Sequence, residues 1–234
     1  MKILCTICAR GGSKEVKNKN IINFFGRPLI FQTINQAKKS NLFYKIVCSS
    51  DSKKILKISQ KFGVDLTIKR PKKLSSDKIP KTKAIKHSLE VSEKFFKTKF
   101  DLIVDLDVTA PLRSIGDIKK SINKIKIQKK PCNLVTITPS KKNPYFNMVE
   151  ISKKKILKII KQDNKITARQ MSPKVFDVSA GFYIWNRSGL LANKTVINNK
   201  TLFYTTPYLR SIDIDSYTDL EIVKFLYKKK FKDI

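Results

Sequence analysis

The densest set of groups able to grip an anion lies near the start of the chain, in Cys5-Thr6-Ile7-Cys8-Ala9-Arg10-Gly11-Gly12-Ser13-Lys14-Glu15-Val16-Lys17-Asn18-Lys19-Asn20. An apolar run, Ile3 to Cys8, ends abruptly in paired glycines, a serine and several cations. Glycine lets backbone approach an anion closely. Amides at turns and helix starts supply oriented donors, and Arg10, Lys14 and Lys19 add charge-assisted contacts. Neither G-x-x-x-x-G-K-[ST] nor G-x-G-x-x-G is present. A surface loop is the competing reading, but an Arg-Gly-Gly-Ser-Lys string directly behind an apolar strand favours a phosphate loop. At the other end of the chain, Asp213-Ile214-Asp215 places two carboxylates at i and i+2. On a strand these share one face. Mg²⁺ takes oxygen ligands and keeps waters, so this pair plus phosphate oxygens is a sufficient donor set. A cap for the last helix is the alternative.

Three further stretches carry polar chemistry. Arg70-Pro71-x-x-Leu74-Ser75-Ser76-Asp77-x-x-Pro80-Lys81 reads as a turn before a helix, with Asp77 able to cap it. Asp107-Val108-Thr109-Ala110-Pro111-Leu112-Arg113 is a proline turn after an apolar run. Arg169, followed by Gln170, suits a carboxylate through its bidentate fork, or is simply a surface arginine. Cys5-x-x-Cys8 looks like a redox or metal pair. On a strand, however, residues three apart point to opposite faces, and no second pair completes a zinc site. The four cysteines (Cys5, Cys8, Cys48, Cys132) therefore read as small buried hydrophobes. His87, the only histidine, falls in a helical stretch. A histidine-rich metal site is excluded, and nothing suits a covalent nucleophile.

The elements that must position these groups alternate. Met1 to Cys8 reads as a buried strand, and Pro28 to Lys39 follows the helix period, with Pro28 in the first turn. Tyr44 to Ser50 is a strand. Ser50-Asp51-Ser52 caps a helix to about Phe62 that Gly63 ends, and Val64 to Ile68 is a short strand. A helix over 80–96, a strand Phe100 to Leu106, a helix over 114–128 capped by Ser114 and a strand Leu134 to Thr138 follow. Short antiparallel pieces are expected near Asn143–Glu150 and Lys155–Lys161, a core strand at Val178–Trp185 and a last helix at Tyr217–Lys228. The order predicts an α/β fold with a doubly wound, mainly parallel sheet, whose ligands bind beyond the carboxyl ends of the strands.

Taken in order, these stretches resemble the N-acylneuraminate cytidylyltransferases, whose loop reads roughly A-R-G-G-S-K-G-x-x-x-K-N. Ala9 to Lys14 and Lys19-Asn20 match, with Glu15 in place of the usual glycine. Arg70 to Asp77 is similar to the family's R-P-x-x-L-x-x-D, and Pro80-Lys81 to the legionaminic-acid branch. Leu106 to Arg113 is similar to L-[QD]-P-T-S-P-L-R, with the aspartate of that branch at Asp107. Ser179-Ala180-Gly181-Phe182-Tyr183 occupies the N-[AG]-x-x-Y strand, with Ser179 replacing asparagine. Asp213-x-Asp215 matches the metal site.

The resemblance implies a nucleotide-diphosphosugar transferase-type sheet and one cytidylyltransferase domain over 1–234. It also implies a small antiparallel dimerisation arm at about 140–176, and hence a homodimer. It implies that CMP passes from CTP to a nine-carbon 2-keto sugar acid (legionaminic- or sialic-acid-like) and that pyrophosphate leaves. Ala9, Arg10, Gly11, Gly12, Ser13, Lys14, Lys19, Asn20, Arg70, Asp77 and Lys81 would then hold the nucleotide. Asp107, Thr109, Arg169, Gln170, Ser179 and Tyr183 would hold the sugar acid, and Asp213 and Asp215 would hold Mg²⁺. Arg10, Lys19 and Asp213 would be catalytic. Glu15 and Ser179 leave room for a catalytically impaired relative.

The length of 234 residues suits one domain with a sizeable core. No apolar run approaches membrane length and no leader pattern is present, so a cytoplasmic protein without a membrane partner is expected. The net charge of +32 favours polyanions in general, and a basic nucleic-acid-binding protein is the reading from another class. Against it, the lysines are spread along the chain instead of gathered in an arm. That reading also leaves the Asp213–Asp215 pair unexplained. No nucleic-acid partner is expected.

Overall fold

A computed structural model describes residues 1–13, 15–76, 78–128, 131–153, 155–193 and 195–230. Its frame is a seven-stranded sheet. The strands are β1 (Ile3–Cys8), β4 (Lys45–Ser50), β5 (Leu66–Lys69), β6 (Leu102–Leu106), β7 (Asn133–Pro139), β10 (Phe176–Asn186) and β11 (Thr201–Thr205). They lie in the order β11-β7-β10-β6-β1-β4-β5. All neighbouring pairs are parallel except those of β10, which runs antiparallel to both β6 and β7. The apolar runs read from sequence become the central strands because a strand covered on both faces needs apolar residues throughout.

The sheet is wound on both faces, by α1 (Ile30–Ser40), α2 (Lys53–Lys61), α4 (Ile115–Ile127) and α6 (Tyr217–Lys230) on one and by α3 (Lys81–Phe96) and α5 (Arg187–Ala192) on the other. Cys5 packs with Ile34, Ile55, Ile118 and Val223 on the first face, and Leu4 with Ile85, Leu89 and Trp185 on the second. Cys8 packs on the second face, opposite Cys5, so Cys5 and Cys8 are not a pair. All four cysteines are free.

Local signals hold where they were specific. Ser52 caps α2 by accepting from Ile55 N, and Gly63 (φ 79°) ends it. Ser114 and Asp117 form a reciprocal capping box on α4. Pro28 does not start a helix, because Arg27–Pro28 is strand β3, paired with β2 (Asn23–Phe24). Phe25 (φ 51°) and Gly26 (φ 76°) make the two-residue turn between them, and α1 begins at Ile30. The stretch 187–209, which carries no clear periodic signal in the sequence, holds α5 and β11. β8 (Val149–Ile151) and β9 (Leu157–Ile159) pair only with each other. No helix among the described residues is long and apolar enough to cross a membrane.

Candidate active site

The carboxyl ends of β1, β5 and β6 open on one cavity of about 540 Å³, within the usual range for a small-molecule site. Its walls come from the loop after β1 (Arg10, Ser13, Glu15, Lys19, Asn20), the segment before α3 (Arg70, Ser75, Ser76, Lys81), the turn after β6 (Asp107, Thr109) and the segment before α6 (Asp213, Asp215).

The loop after β1 is braced from outside. Ala9 N donates to Ser49 O at 3.0 Å. Gly11 N donates to Asp51 Oδ1 at 2.8 Å, and Asn20 Nδ2 to Arg10 O at 2.8 Å. Asn20 is thus a brace for the loop as well as a wall of the cavity. A Cβ on Gly11 would stand 2.9 Å from Ser52 Cβ, closer than real side chains approach, whereas one on Gly12 would meet nothing within 4 Å. Gly11 is required by packing, and Gly12, between the cavity residues Arg10 and Ser13, has open space around it. Lys14 and Asp77, both expected at the nucleotide, lie outside the described residues.

Arg70 is buried, and its guanidinium donates to Ser49 Oγ at 3.2 Å and Ser49 O at 2.7 Å. Its edge still lines the cavity. Lys81, the first residue of α3, reaches back under the floor. Its ammonium lies 2.7 Å from Asp105 Oδ2 and 2.5 Å from Asp107 Oδ2. Asp105 is fully buried in β6 and accepts from Thr6 Oγ1 at 2.8 Å. Asp107 Oδ1 accepts from Thr109 N at 3.2 Å and Thr109 Oγ1 at 3.0 Å. Burial pulls the Lys81 pKa down, but Asp105 and Asp107 together outweigh it and raise it. Burial likewise pushes the Asp107 carboxyl up, yet Lys81 and Thr109 carry it down to about 2. Both groups are charged at neutral pH.

The segment Ser211–Asp215 joins no strand, although the i, i+2 argument from sequence assumes one. It is pinned instead by a loop contact. Ile214 N donates to Thr109 O at 2.9 Å and the Ile214 side chain is fully buried. With Ile214 turned into the core, Asp213 and Asp215 both line the cavity, so the i, i+2 logic survives without a ladder. Upstream, Arg210 donates from Nε at 2.8 Å and Nη2 at 3.1 Å to the carboxylate of Asp117 at the start of α4, fastening the segment to the sheet's helical layer. Asp213 Oδ1 is buried without a hydrogen-bond partner among the described residues, and burial together with Asp107 pushes its carboxyl up to about 6. Asp215 is exposed and its Oδ1 accepts from Lys19 Nζ at 2.9 Å.

An orphaned buried carboxylate oxygen beside a second carboxylate fits a hard cation. Among the described residues no group of three or more His, Cys, Asp or Glu side chains is arranged to hold a metal ion. The two aspartates would therefore share a metal with oxygens of the substrate.

The remaining expected residues lie apart from the cavity. Ser179 is buried in an irregularity of β10 and its Oγ accepts from Gly181 N at 3.1 Å. Its hydroxyl is engaged by the backbone of its own strand and does not line the cavity. Tyr183 neighbours the site: the Lys81 ammonium stands 5.9 Å from its ring centre. Arg169 and Gln170 sit on an exposed turn beyond the β8–β9 hairpin, with Arg169 Nη2 donating to Lys141 O at 3.5 Å. Within one chain they are not in the cavity wall. Sequence reasoning missed Asp105, and it placed Asp51 and Arg113 in stretches of interest without giving either a role in the site. Arg113, fully buried, donates to Gln36 Oε1, Gly181 O and Thr33 Oγ1. It holds β10 against α1 and the turn after β6, and burial brings its guanidinium down to about 10. Cys5 and Cys8 are pushed up by burial, so neither supplies a thiolate at neutral pH.

Residues 4–229 match the family model described as cytidylyltransferase. A Campylobacter coli protein named post-translational flagellin modification protein B is 43% identical over 229 residues, covering 98% of this chain and 96% of that one. A Campylobacter jejuni protein named CMP-N,N'-diacetyllegionaminic acid synthase is 42% identical with the same coverage. A Campylobacter jejuni pseudaminic acid cytidylyltransferase is 31% identical, covering 97% of each chain. Among solved structures, a CMP:2-keto-3-deoxy-manno-octonic acid synthetase superposes with a TM-score of 0.71 at 13% identity, over 98% of this chain and 100% of that one.

Proposed function

Because the chain belongs to the cytidylyltransferase family and is thus a nucleotidyltransferase, we propose that it moves CMP from CTP to a nine-carbon nonulosonic acid. The anomeric hydroxyl of the acid attacks the α-phosphorus of CTP. The new P–O bond forms as the bond to the β-phosphate oxygen breaks, pyrophosphate leaves, and the hydroxyl proton passes to solvent. Little covalent chemistry falls to the protein, whose part is positioning and charge neutralisation. The observation that carries the reading is the meeting, in one cavity, of the braced loop after β1 with Arg10 and Lys19 and of the Asp213–Asp215 pair.

Arg10, Ser13 and Lys19 are placed to hold phosphates, and the open space at Gly12 lets them approach the backbone. Asp213 and Asp215 would hold Mg²⁺, whose contribution when bound is to polarise phosphoryl oxygens and neutralise charge on the leaving group. Lys19 and Asp215 pair with each other in the free protein. Nucleotide binding has to part them, releasing the ammonium to phosphate. N,N'-diacetyllegionaminic acid is the first acid to offer, given the relative named for its CMP derivative.

The reading includes a homodimer. Ile151, Ile156 and Leu157, on and beside the β8–β9 hairpin, are 73%, 63% and 66% exposed. A two-stranded hairpin is marginal by itself, and an apolar patch of this kind fits a partner surface. Arg169 and Gln170 belong to the same arm, so their contact with the acid's carboxylate is assigned to the dimer.

The test is pyrophosphate release from CTP and Mg²⁺ with N,N'-diacetyllegionaminic, N-acetylneuraminic and pseudaminic acids offered separately. Release with one acid supports the reading and names the branch. CTP binding without release from any of them points to a different acid or an impaired enzyme. Failure to bind CTP sinks it.

A further inference from the structure

Lys81 occupies an unusual place for a cation. It is the first residue of a 16-residue helix, where the helix dipole disfavours positive charge. Among the described residues no side chain caps that end. What holds Lys81 there is the pair of carboxylates below it, Asp105 and Asp107. One of its N–H groups donates to Asp107 Oδ2, and the ammonium forms an ion pair with Asp105 Oδ2 at 2.7 Å.

The consequence falls on Asp107. A carboxylate oxygen accepts about two hydrogen bonds. Asp107 Oδ1 already takes two, from Thr109 N and Thr109 Oγ1, and Oδ2 takes one from Lys81. One acceptor position is left, on Oδ2, and Lys81 sets its direction. A carboxylate so fixed accepts one neutral donor, a hydroxyl or an acylamino N–H, and repels an anion. The acid's own carboxylate must then sit elsewhere.

We infer that Lys81 is a positioning residue for the sugar-acid subsite: it holds Asp107 so that a single carboxylate lone pair faces a hydroxyl or amide donor of the substrate. This rests on the proposed reaction and differs from the nucleotide contact that the sequence suggested for Lys81. Without Lys81 the two carboxylates face each other with no cation between them. Asp105 cannot move, being buried in β6. Asp107, at the strand's open end, also loses the one donor that sets the direction of Oδ2, whether or not Asp105 is charged.

Lys81→Met alone strands the buried Asp105 charge and could fail to fold. The informative variant is therefore Lys81→Met with Asp105→Asn. It removes one charge of each sign and keeps an amide oxygen in β6 to accept from Thr6 Oγ1. Isothermal titration of CTP should agree with wild type within about twofold. The KM for the accepted acid should rise about tenfold or more, a loss of about 1.4 kcal/mol. Adding Asp107→Asn should then cost little more, because residues acting as a unit are non-additive, and Lys81→Arg should recover part of the loss. A tenfold weaker CTP affinity with an unchanged acid KM would overturn the inference, as would no change in either. If the wild type turns over no acid, the proposed reaction is what fails. The crystal structure of the double variant still decides the inference: an Asp107 carboxylate rotated so that Oδ2 leaves its wild-type position supports it, and an unmoved carboxylate overturns it.

Discussion

Two adjacent glycines separate folding from binding in the loop after β1. Gly11→Ala would place its methyl 2.9 Å from Ser52 Cβ, at the cap of α2, while the Gly11 amide is tied to Asp51. Neither neighbour is the free end of a flexible chain. The loop or the cap must shift, and overpacking of this kind costs about 1–3 kcal/mol. At about 2–4 °C per kcal/mol for a chain of this size, the melting temperature should fall by about 2–12 °C. Gly12→Ala meets nothing within 4 Å and its backbone is not in the left-handed region. Its stability should stay level or rise by about 0.4–1 kcal/mol through the unfolded chain. On the proposed reading a phosphate reaches the loop here and the methyl blocks it, so CTP affinity should drop about tenfold or more. Thermal melts and isothermal titration on both variants read the two effects separately. An unchanged melt for Gly11→Ala would refute the close approach at Ser52. A Gly12→Ala protein that binds CTP like wild type would refute the loop as the phosphate site.

Asp213→Asn should keep the fold and the melting temperature, since it neutralises a carboxyl whose Oδ1 is buried and unpartnered among the described residues, while turnover falls by about 10²–10³-fold; a parallel loss of fold would show a structural role. Arg210→Gln removes the two-pronged contact with Asp117, and should raise the Mg²⁺ concentration needed for half-maximal rate more than it changes the KM for CTP, read by metal titration of the rate. Glu93 ties α3 to α5 through Arg187 and to the start of β6 through Phe100 N. Burial pushes its carboxyl up, but Arg187, Phe100 and Lys99 bring it down to about 2. A folded pKa below the unfolded one means stability that is fully present above about pH 4.5 and is lost as the pH falls toward 2; Glu93→Gln should flatten the wild-type decline in melting temperature over that window and lower it at neutral pH, by calorimetry. Ile151→Lys with Leu157→Lys should halve the mass seen by light scattering if the arm joins two chains, and a wild-type monomer would end that part of the proposal.

What the sequence made legible was local. The cap at Ser52, the capping box at Ser114 and Asp117 and the strand-to-loop break at Cys8 each depend on residues within a few positions, and each appears where its pattern sits. The opposite faces of Cys5 and Cys8 followed from strand period alone. Pro28 misled for an equally local reason: a proline suits both a first helical turn and a strand edge, and the left-handed backbone at Phe25 and Gly26 decided between them. The illegible part was pairing at a distance. Nothing in the string shows that Lys81 spends its charge on Asp105 and Asp107 or that Asp51 holds Gly11. The same holds for Lys19, which meets Asp215 across 196 positions. These contacts are made by sheet order, which brings the ends of β1, β4 and β6 side by side.

That order also assigns the work. Polar and charged residues named for a site from sequence divide, in the fold, between those facing the cavity with capacity to spare and those already engaged. Asp213, with a buried oxygen that nothing among the described residues satisfies, is of the first kind. Ser179, whose hydroxyl serves the backbone of its own strand, is of the second. Asp107 falls between them, with three acceptor positions filled and one left. Lys81 fills one of the three and sets the direction of the open one, so on the proposed reading it has a larger say in substrate choice than its own reach into the cavity would suggest.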